Sequence, residues 1–540
     1  MPDQLDAAAA AVDRAADVVA TATRTLARES VDDGRVSVGK LDRHQVLAYD
    51  LAHAASAVEG CRVMLAYGEL GELESLLARA FVADAISELG ARMLGRDGIW
   101  GVEAGELSAA LPFVEAHRSP QFLEALAARL PAGGTGPRHL PDEFELAAQT
   151  FHRFAADRVR PVAEHVHRSN ADVPEDVIEG LAELGGFGLS VPEAYGGYAT
   201  GGESDYLGMV VATEELSWGS LGVGGSLITR PEILTRALVA GGSEAQKQRW
   251  LPRIARGELM VGVTVTEPDY GSDVAGVTTS AAAVDGGYRV NGVKTWATFA
   301  GRADLLMLLA RTDPDRAAAH RGLSLFVLEK EPVPGHSFAL GQPEGGTLEG
   351  RAIDTLGYRG MHSYEVSFDN WFVPAASLVG EEGGVGRGFY LQMEGFENGR
   401  LQTAARAVGL MQAAFEAGLE YARQRVVFGK PVFDYQLSQA KLARMAALIQ
   451  AGRQFSYDVA ARAGRGEASL AASMVKAYVC RAAEWVTRES MQLHGGMGYA
   501  EEFPVSRYYV DARVLSIFEG ADETLCLRVI ARRLAEQALT

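Results

Sequence analysis

Three segments of this 540-residue chain carry side chains in arrangements suited to chemistry. The first is Val265-Thr266-Glu267-Pro268-Asp269-Tyr270-Gly271-Ser272, followed by Lys294-Thr295-Trp296-Ala297-Thr298. Hydroxyls and backbone amides at a strand end suit the polar edge of a flat heterocycle, with Trp296 as an aromatic wall. The same residues also read as a polar turn beside a core tryptophan. The second is Gln492-Leu493-His494-Gly495-Gly496-Met497-Gly498, whose glycines let a phosphate-bearing ligand approach backbone amides. It lacks a βαβ frame and the spacing of a dinucleotide fingerprint. The third is Ile517-Phe518-Glu519-Gly520-Ala521, an acidic residue among apolar neighbours just before the last helix. A partly desolvated carboxylate makes a useful general base. A glutamate stabilised by a helix dipole is the plainer alternative.

The hydrophobic pattern says what must position these segments. Residues 5 to about 130 are Ala-rich with helical periodicity, as in Val46, Leu47, Leu51, Ala54, Ala55 and Val58. The breakers between Pro131 and Pro137 predict a linker. Helical patterning resumes from Pro141 to about Met260. From Val261 to about Leu378 short apolar runs, such as Leu305 to Leu309 and Leu323 to Leu328, alternate with turn signals at Asp285-Gly286 and Asn291-Gly292. This stretch is expected to form antiparallel strands. Glycines 383, 384, 386 and 388 mark a second junction, and long amphipathic helices follow to Thr540. The expected division is residues 1–136, 137–260, 261–380 and 381–540, in an α+β, mainly α, class.

An internal repeat links the two ends. His44-Gln45, Leu51, Ala52, Ala55 and Arg62 recur as Tyr435-Gln436, Leu442, Ala443, Ala446 and Arg453, an offset of 442 − 51 = 391. Ala80-Phe81-Val82 recurs as Ala477-Tyr478-Val479 at an offset of 397. Two Ala-rich helices can also match by composition alone. The glycine loop and acidic motif have no counterpart after the first copy, which assigns the N-terminal extension a structural role.

Lys+Arg 51 against Asp+Glu 70 leaves a net charge of −19, with no basic footprint for nucleic acid or anionic membrane. The N-terminus lacks a signal-peptide pattern, and charged residues interrupt every apolar run before a membrane span is reached. Cys61, Cys480 and Cys526 are too scattered for a disulfide framework or clustered zinc ligands, so no metal and a cytoplasmic setting are expected.

Taken in order, the three segments resemble the acyl-CoA dehydrogenase family of flavoproteins over about Pro141 to Thr540. Val191-Pro192-Glu193-Ala194-Tyr195-Gly196-Gly197, Leu356-Gly357-Tyr358-Arg359-Gly360, Arg425-Val426-Val427-Phe428-Gly429-Lys430 and Ile530-Ala531-Arg532-Arg533 extend the resemblance. It implies a helical domain, an antiparallel β domain and a C-terminal four-helix bundle, here preceded by the extra helical domain. It also implies FAD, an acyl-CoA substrate, a homo-oligomer and an electron-transfer flavoprotein as acceptor. Val293 to Thr298, Arg302 to Leu305, Leu309 to Pro314, Thr355 to Met361, Gln402 to Val408 and the N-terminal extension are most similar to the members that oxidise methylsuccinyl-CoA. Other short branched-chain substrates, such as isobutyryl-CoA or 2-methylbutyryl-CoA, and an oxidase are the alternatives, with a non-catalytic acyl-CoA-binding protein more remote.

The resemblance carries roles onto particular residues. Glu519 matches the base that removes the α-proton, its own amide joining a flavin ribityl hydroxyl on the thioester oxygen. In some members the base instead precedes the arginine that is Arg400 here, but that position is Gly399. Val265, Thr266, Gly271, Ser272, Trp296 and Thr298 match flavin contacts. Arg425, Phe428, Gln492, Gly495 and Gly496 match contacts to the ADP half of FAD on a neighbouring subunit. Ala521 replaces a frequent threonine, and Glu523 holds a flavin-contact position that varies. Ser272, Glu397, Arg400, Phe518 and Gly520 match substrate contacts. A second substrate carboxylate needs a cation or donors at the pocket end, for which Arg230, Tyr358 and His362 are the candidates. Arg230 reads equally as a helix cap or a partner of Glu232. The extension, as a repeat of the C-terminal helices, is expected to cover the face through which family tetramers meet, leaving a homodimer.

Overall fold

The structure is a computed structural model describing residues 2–131 and 134–540, with the side chains of residues 2–4 and of Glu397 outside the description. Glu397, a substrate-contact candidate, therefore lies outside the described residues. The chain forms two compact units, residues 1–145 with 403–540, and residues 146–402.

The N-terminal helices are Pro2–Ser30 (α1), Gln45–Gly68 (α2) and Glu72–Met93 (α3). Asp205–Gly219 (α4), Thr229–Gly241 (α5) and Glu244–Ala255 (α6) follow. A capping box on Ser243 and Gln246 opens α6, each satisfying an amide that a helix start otherwise leaves bare. Eight strands come next: Val261–Thr264 (β1), Ser280–Val284 (β2), Gly287–Thr298 (β3), Leu305–Arg311 (β4), Leu323–Glu329 (β5), Ser337–Gly341 (β6), Thr347–Ile353 (β7) and Ser363–Pro374 (β8). The last long helices are Gly388–Gln424 (α7), Gln436–Gly464 (α8), Ser469–Leu493 (α9) and Val505–Leu515 (α10). No helix among the described residues is long and apolar enough to cross a membrane.

In the 146–402 unit the strands pair in the order β1-β4-β2-β3-β8-β7-β6, with β5 beside β4. The pairing is antiparallel as expected except that β4 runs parallel to β1 and, at Ser280 and Arg311, to β2. The chain returns to β4 from the far side of the β2–β3 hairpin, and that crossover sets the direction. The run Leu305 to Leu309 is buried throughout because both faces of β4 are covered. Leu305, Met307 and Leu309 pack with Ile233, Leu234, Trp250 and Leu251 of the helices, while Leu306 and Leu308 pack with Val290, Val366 and Phe368 of the opposing strands.

In the other unit the N-terminal helices do not stand apart: α2 and α3 pack on α8 and α9. Helix α8 starts 436 − 45 = 391 residues after α2, and α9 starts 469 − 72 = 397 after α3, the two offsets of the sequence repeat. Phe81 and its repeat mate Tyr478 meet edge to face, ring centres 5.8 Å apart. Buried Thr135 ties the segment after the extension to this unit, donating to Gln412 at 3.0 Å and accepting from Arg453 at 3.2 Å.

Candidate active site

In the 146–402 unit, β1 runs out into Val265 and Thr266, a turn that must satisfy its polar groups away from water. Lys294, fully buried on β3, does much of this: its ammonium donates to Glu267 at 2.8 Å and to the Val265 carbonyl at 2.9 Å. Glu267 also accepts the amides of Thr278 and Thr279 at 2.7 and 2.8 Å. The Thr295 amide donates to the Thr266 carbonyl at 2.8 Å, fastening the turn to β3. Burial pushes the Glu267 carboxyl up, but the Lys294 charge and these hydrogen bonds outweigh it and bring the group down to about 2. Burial takes the Lys294 ammonium down to about 8 despite its partner.

This rigid turn presents the flavin-edge candidates of one unit together. Trp296 has φ of 56° and remains 55% exposed, so its indole is a bare aromatic face beside the turn. Positive φ in a non-glycine residue costs about 1–3 kcal/mol and persists where the surroundings over-determine it. Val265 and Thr298 are buried, and Thr298 shares a hydrogen bond with Ser363 at 3.0 Å; Thr266 is half-buried, and Gly271 and Ser272 are exposed. In the motif Leu356 to Gly360, Leu356 is exposed while Tyr358 and Arg359 serve packing. Arg359 donates to the His167 carbonyl at 2.8 Å, and a side chain at Gly222 would come within 2.2 Å of the Arg359 carbonyl.

The second-carboxylate candidates belong to the same unit. Arg230 is buried in the first turn of α5, and Glu232 pairs with Arg236 at 3.6 Å. Tyr358 and His362 are buried with positive φ, and His362 pairs with Asp172 at 3.1 Å. Arg400 is half-buried on α7.

The 403–540 portion holds the remaining candidates. Phe428, at φ 48°, is 99% exposed on a short hairpin, with Arg425 exposed just before it. Gln492, Gly495 and Gly496 are exposed where α9 ends, and a side chain on either glycine would meet nothing within 4 Å. Packing does not require those glycines, although Gly495, at φ 59°, has a backbone reason. Gly498 differs, since a Cβ there would lie 2.3 Å from the Met491 carbonyl. Within this unit the exposed Phe428 ring and the open glycine edge leave room for a ligand with a flat ring and phosphates.

Glu519 sits in the loop between α10 and the segment 522–537, at φ 55°, with its side chain 7% exposed. Arg406 of α7, fully buried, brings its guanidinium to 4.0 Å from the Glu519 carboxylate and stacks over the Phe518 ring at 4.7 Å. Lys476 of α9, also buried, donates to the Gly520 carbonyl at 2.6 Å. Ala521 and Glu523 flank Asp522, whose amide closes the loop on the Ser516 carbonyl at 3.1 Å. Sequence reasoning assigned no role to Arg406 or Lys476. Their signal was a lone cation inside an apolar helical run, Ala404-Ala405-Arg406-Ala407-Val408 and Met474-Val475-Lys476-Ala477.

Models of the acyl-CoA dehydrogenase N-terminal, middle and C-terminal domains match residues 141–258, 262–371 and 386–535. The chain belongs to the acyl-CoA dehydrogenase family, whose members are FAD-dependent oxidoreductases. It is 38% identical over 544 residues to (2S)-methylsuccinyl-CoA dehydrogenase of Cereibacter sphaeroides, a match covering 96% of this chain and 95% of that relative. It is 35% identical over 401 residues to mitochondrial isovaleryl-CoA dehydrogenase of Oryza sativa subsp. japonica, covering 73% of this chain and 92% of that one. Among solved structures, butyryl-CoA dehydrogenase from Megasphaera elsdenii superposes with a TM-score of 0.65 at 31% identity, over 72% of this chain and 97% of that one.

Proposed function

We propose that the protein dehydrogenates (2S)-methylsuccinyl-CoA to mesaconyl-CoA, with Glu519 as the α-proton base. The observation that carries the substrate is the reach of the methylsuccinyl-CoA dehydrogenase match: 96% of the chain, the N-terminal helices included, against 73% for the isovaleryl-CoA dehydrogenase match.

An α-C–H is far too weak an acid for a solvated carboxylate, so the base must be desolvated and the charge growing on the thioester oxygen must be stabilised. Glu519 meets the first need through its shielding from solvent, while the Arg406 cation 4.0 Å away holds the carboxylate in its ionised, proton-accepting form. Its backbone amide is the donor we assign to the thioester oxygen. Bound FAD supplies the acceptor for the β-hydride. Thr266 and Thr298 orient the ring edge, Trp296 covers its face, and Val265, Gly271 and Ser272 border it. Arg425, Phe428, Gln492, Gly495 and Gly496 hold the ADP half from a second copy of the chain, with Ala521 and Glu523 beside the flavin. Arg400, Ser272, Glu397, Phe518 and Gly520 take the CoA thioester, and Arg230, with Tyr358 and His362 as alternatives, takes the second carboxylate.

The packing of α2 and α3 over α8 and α9 supports a homodimer, because these N-terminal helices occupy a face that would otherwise be open to another copy. A tetrameric mass in solution would reject that state. The electron acceptor is an electron-transfer flavoprotein, and the setting is cytoplasmic, in keeping with three buried, unbridged cysteines. Anaerobic titration of the yellow holoprotein with acyl-CoA esters tests the reading. Methylsuccinyl-CoA should bleach the flavin faster than isobutyryl-CoA, 2-methylbutyryl-CoA or isovaleryl-CoA. Faster bleaching by one of those esters would reassign the substrate, and rapid aerobic reoxidation would make the protein an oxidase.

A further inference from the structure

The loop bearing Glu519 is fastened from an unexpected direction. Asp522, three residues beyond Glu519, is buried, and its Oδ2 accepts a hydrogen bond from the Tyr49 hydroxyl at 2.6 Å and lies 3.1 Å from His53 Nε2. Both partners stand on α2, 473 and 469 residues away in sequence. Cys526 Sγ lies 3.4 Å from His53 Nε2 and 3.9 Å from Asp522 Oδ1, and the Tyr49 and His53 rings meet edge to face at 4.8 Å. Asp522 also closes the loop through its own amide to Ser516, while Lys476 grips the Gly520 carbonyl. Glu519, at φ 55°, and Gly520, at φ 99°, lie between these fastenings. Gly520 adopts its angle freely, but the left-handed angle at Glu519 lasts only where the surroundings hold it. A second link from the extension, Asp42 to Arg528 at 2.7 and 3.1 Å, reaches the same terminal segment but not the loop.

We propose that Tyr49 and His53 are positioning residues for the base: by holding Asp522 they keep the Ser516–Asp522 loop in the conformation from which the Glu519 carboxylate takes the α-proton. The inference rests on the reading of Glu519 as that base. It gives the N-terminal helices a part in the chemistry in addition to covering a face. His53, Asp522 and Cys526 are also close enough to ligate one metal ion. The Tyr49, His53 and Asp522 groups already satisfy one another, so the arrangement is complete as a hydrogen-bond network.

The test uses full-length, FAD-loaded protein and the ester that bleaches it fastest. Replacing both residues (Tyr49→Phe with His53→Ala) should lower kcat by about 10- to 100-fold while KM stays within about twofold, the pattern of a displaced catalytic group. The isotope effect with α-deuterated substrate should rise, since proton removal becomes more limiting. His53→Gln, which keeps a donor near the Nε2 position, should recover most of the loss in the Tyr49 background, and Asp42→Asn, which cuts the other link, should leave kcat and the isotope effect unchanged. Equal losses in Asp42→Asn and in the double variant would overturn the proposal, as would an unchanged isotope effect in the double variant. One equivalent of zinc in the purified protein, lost in His53→Ala, would also overturn it by making the cluster a metal site. Glu519→Gln separates the two ideas. If it still reduces flavin at the unmodified rate, the reading of the base fails; if it is inactive while the double variant is normal, only the positioning role fails.

Discussion

Two loops in this molecule face the same problem, holding a candidate functional backbone in place, and solve it with different materials. The turn at Thr266 is fastened by neighbours in sequence: Lys294, 27 residues away, pairs with Glu267, and amides 11 and 12 residues on complete the carboxylate's shell. The Glu519 loop is fastened by residues from other helices, Lys476 and Arg406, and from the opposite end of the chain. One is a charge pair buried whole in a β domain, and the other a set of hydrogen bonds between helices. The first should therefore fail through loss of stability, and the second through loss of rate in a protein that still folds.

The sharpest break is chemical. Glu519→Gln should lower the rate of flavin reduction by about 10²- to 10⁴-fold, the usual contribution of a general base, while the protein stays yellow and still binds acyl-CoA. Rapid-mixing absorbance measurements decide it. On the other side, Lys294→Met removes one partner of a buried pair and strands the Glu267 anion. That should cost about 3–5 kcal/mol in denaturant unfolding, with FAD released early. An unfolding midpoint unchanged from the parent would show that the pair does not secure the turn.

Acid should separate the loops next. The Glu267 carboxyl is held at about 2, below its ordinary 4.5, so its stabilising contribution is complete above pH 4.5 and is lost as the pH falls from there toward 2. Flavin release over that window should become less pH-dependent in Glu267→Gln, and an identical profile would reject the assignment. The smallest effect tests specificity. Arg230→Ala should raise KM for methylsuccinyl-CoA about tenfold more than for butyryl-CoA, a difference of about 1.4 kcal/mol. Equal increases would assign the second carboxylate to another group.

How much of this was legible in the sequence follows the same division. The strand run at Leu305 to Leu309, the turn signals and the glycine junctions gave the order of elements, because alternation and helical periodicity are local properties. The candidates at Thr266 and Trp296 were legible for the same reason, lying within one short stretch that folds on itself. Lys294 lies in that stretch, but its role as a buried cation is not legible there, since nothing in residue order says that Glu267 turns back to meet it. The repeat at offsets of 391 and 397 reappears in the helix starts, but its meaning as packing of one copy on the other needed the contact of Phe81 with Tyr478. The parallel pairing of β1 with β4 was missed because strand direction depends on a crossover, not on the pattern within either strand.

By itself the sequence determined the class of protein, the elements and the identity of the candidate base, because motif spacing and hydrophobic period are carried by neighbours along the chain. Only the tertiary structure decided what surrounds that base: Arg406 at 4.0 Å, Lys476 on the adjacent carbonyl, and Tyr49 and His53 on Asp522. Hydrogen bonds and Coulomb attraction depend on distance in space, and the fold alone brings residues more than 450 positions apart within 3 Å of each other.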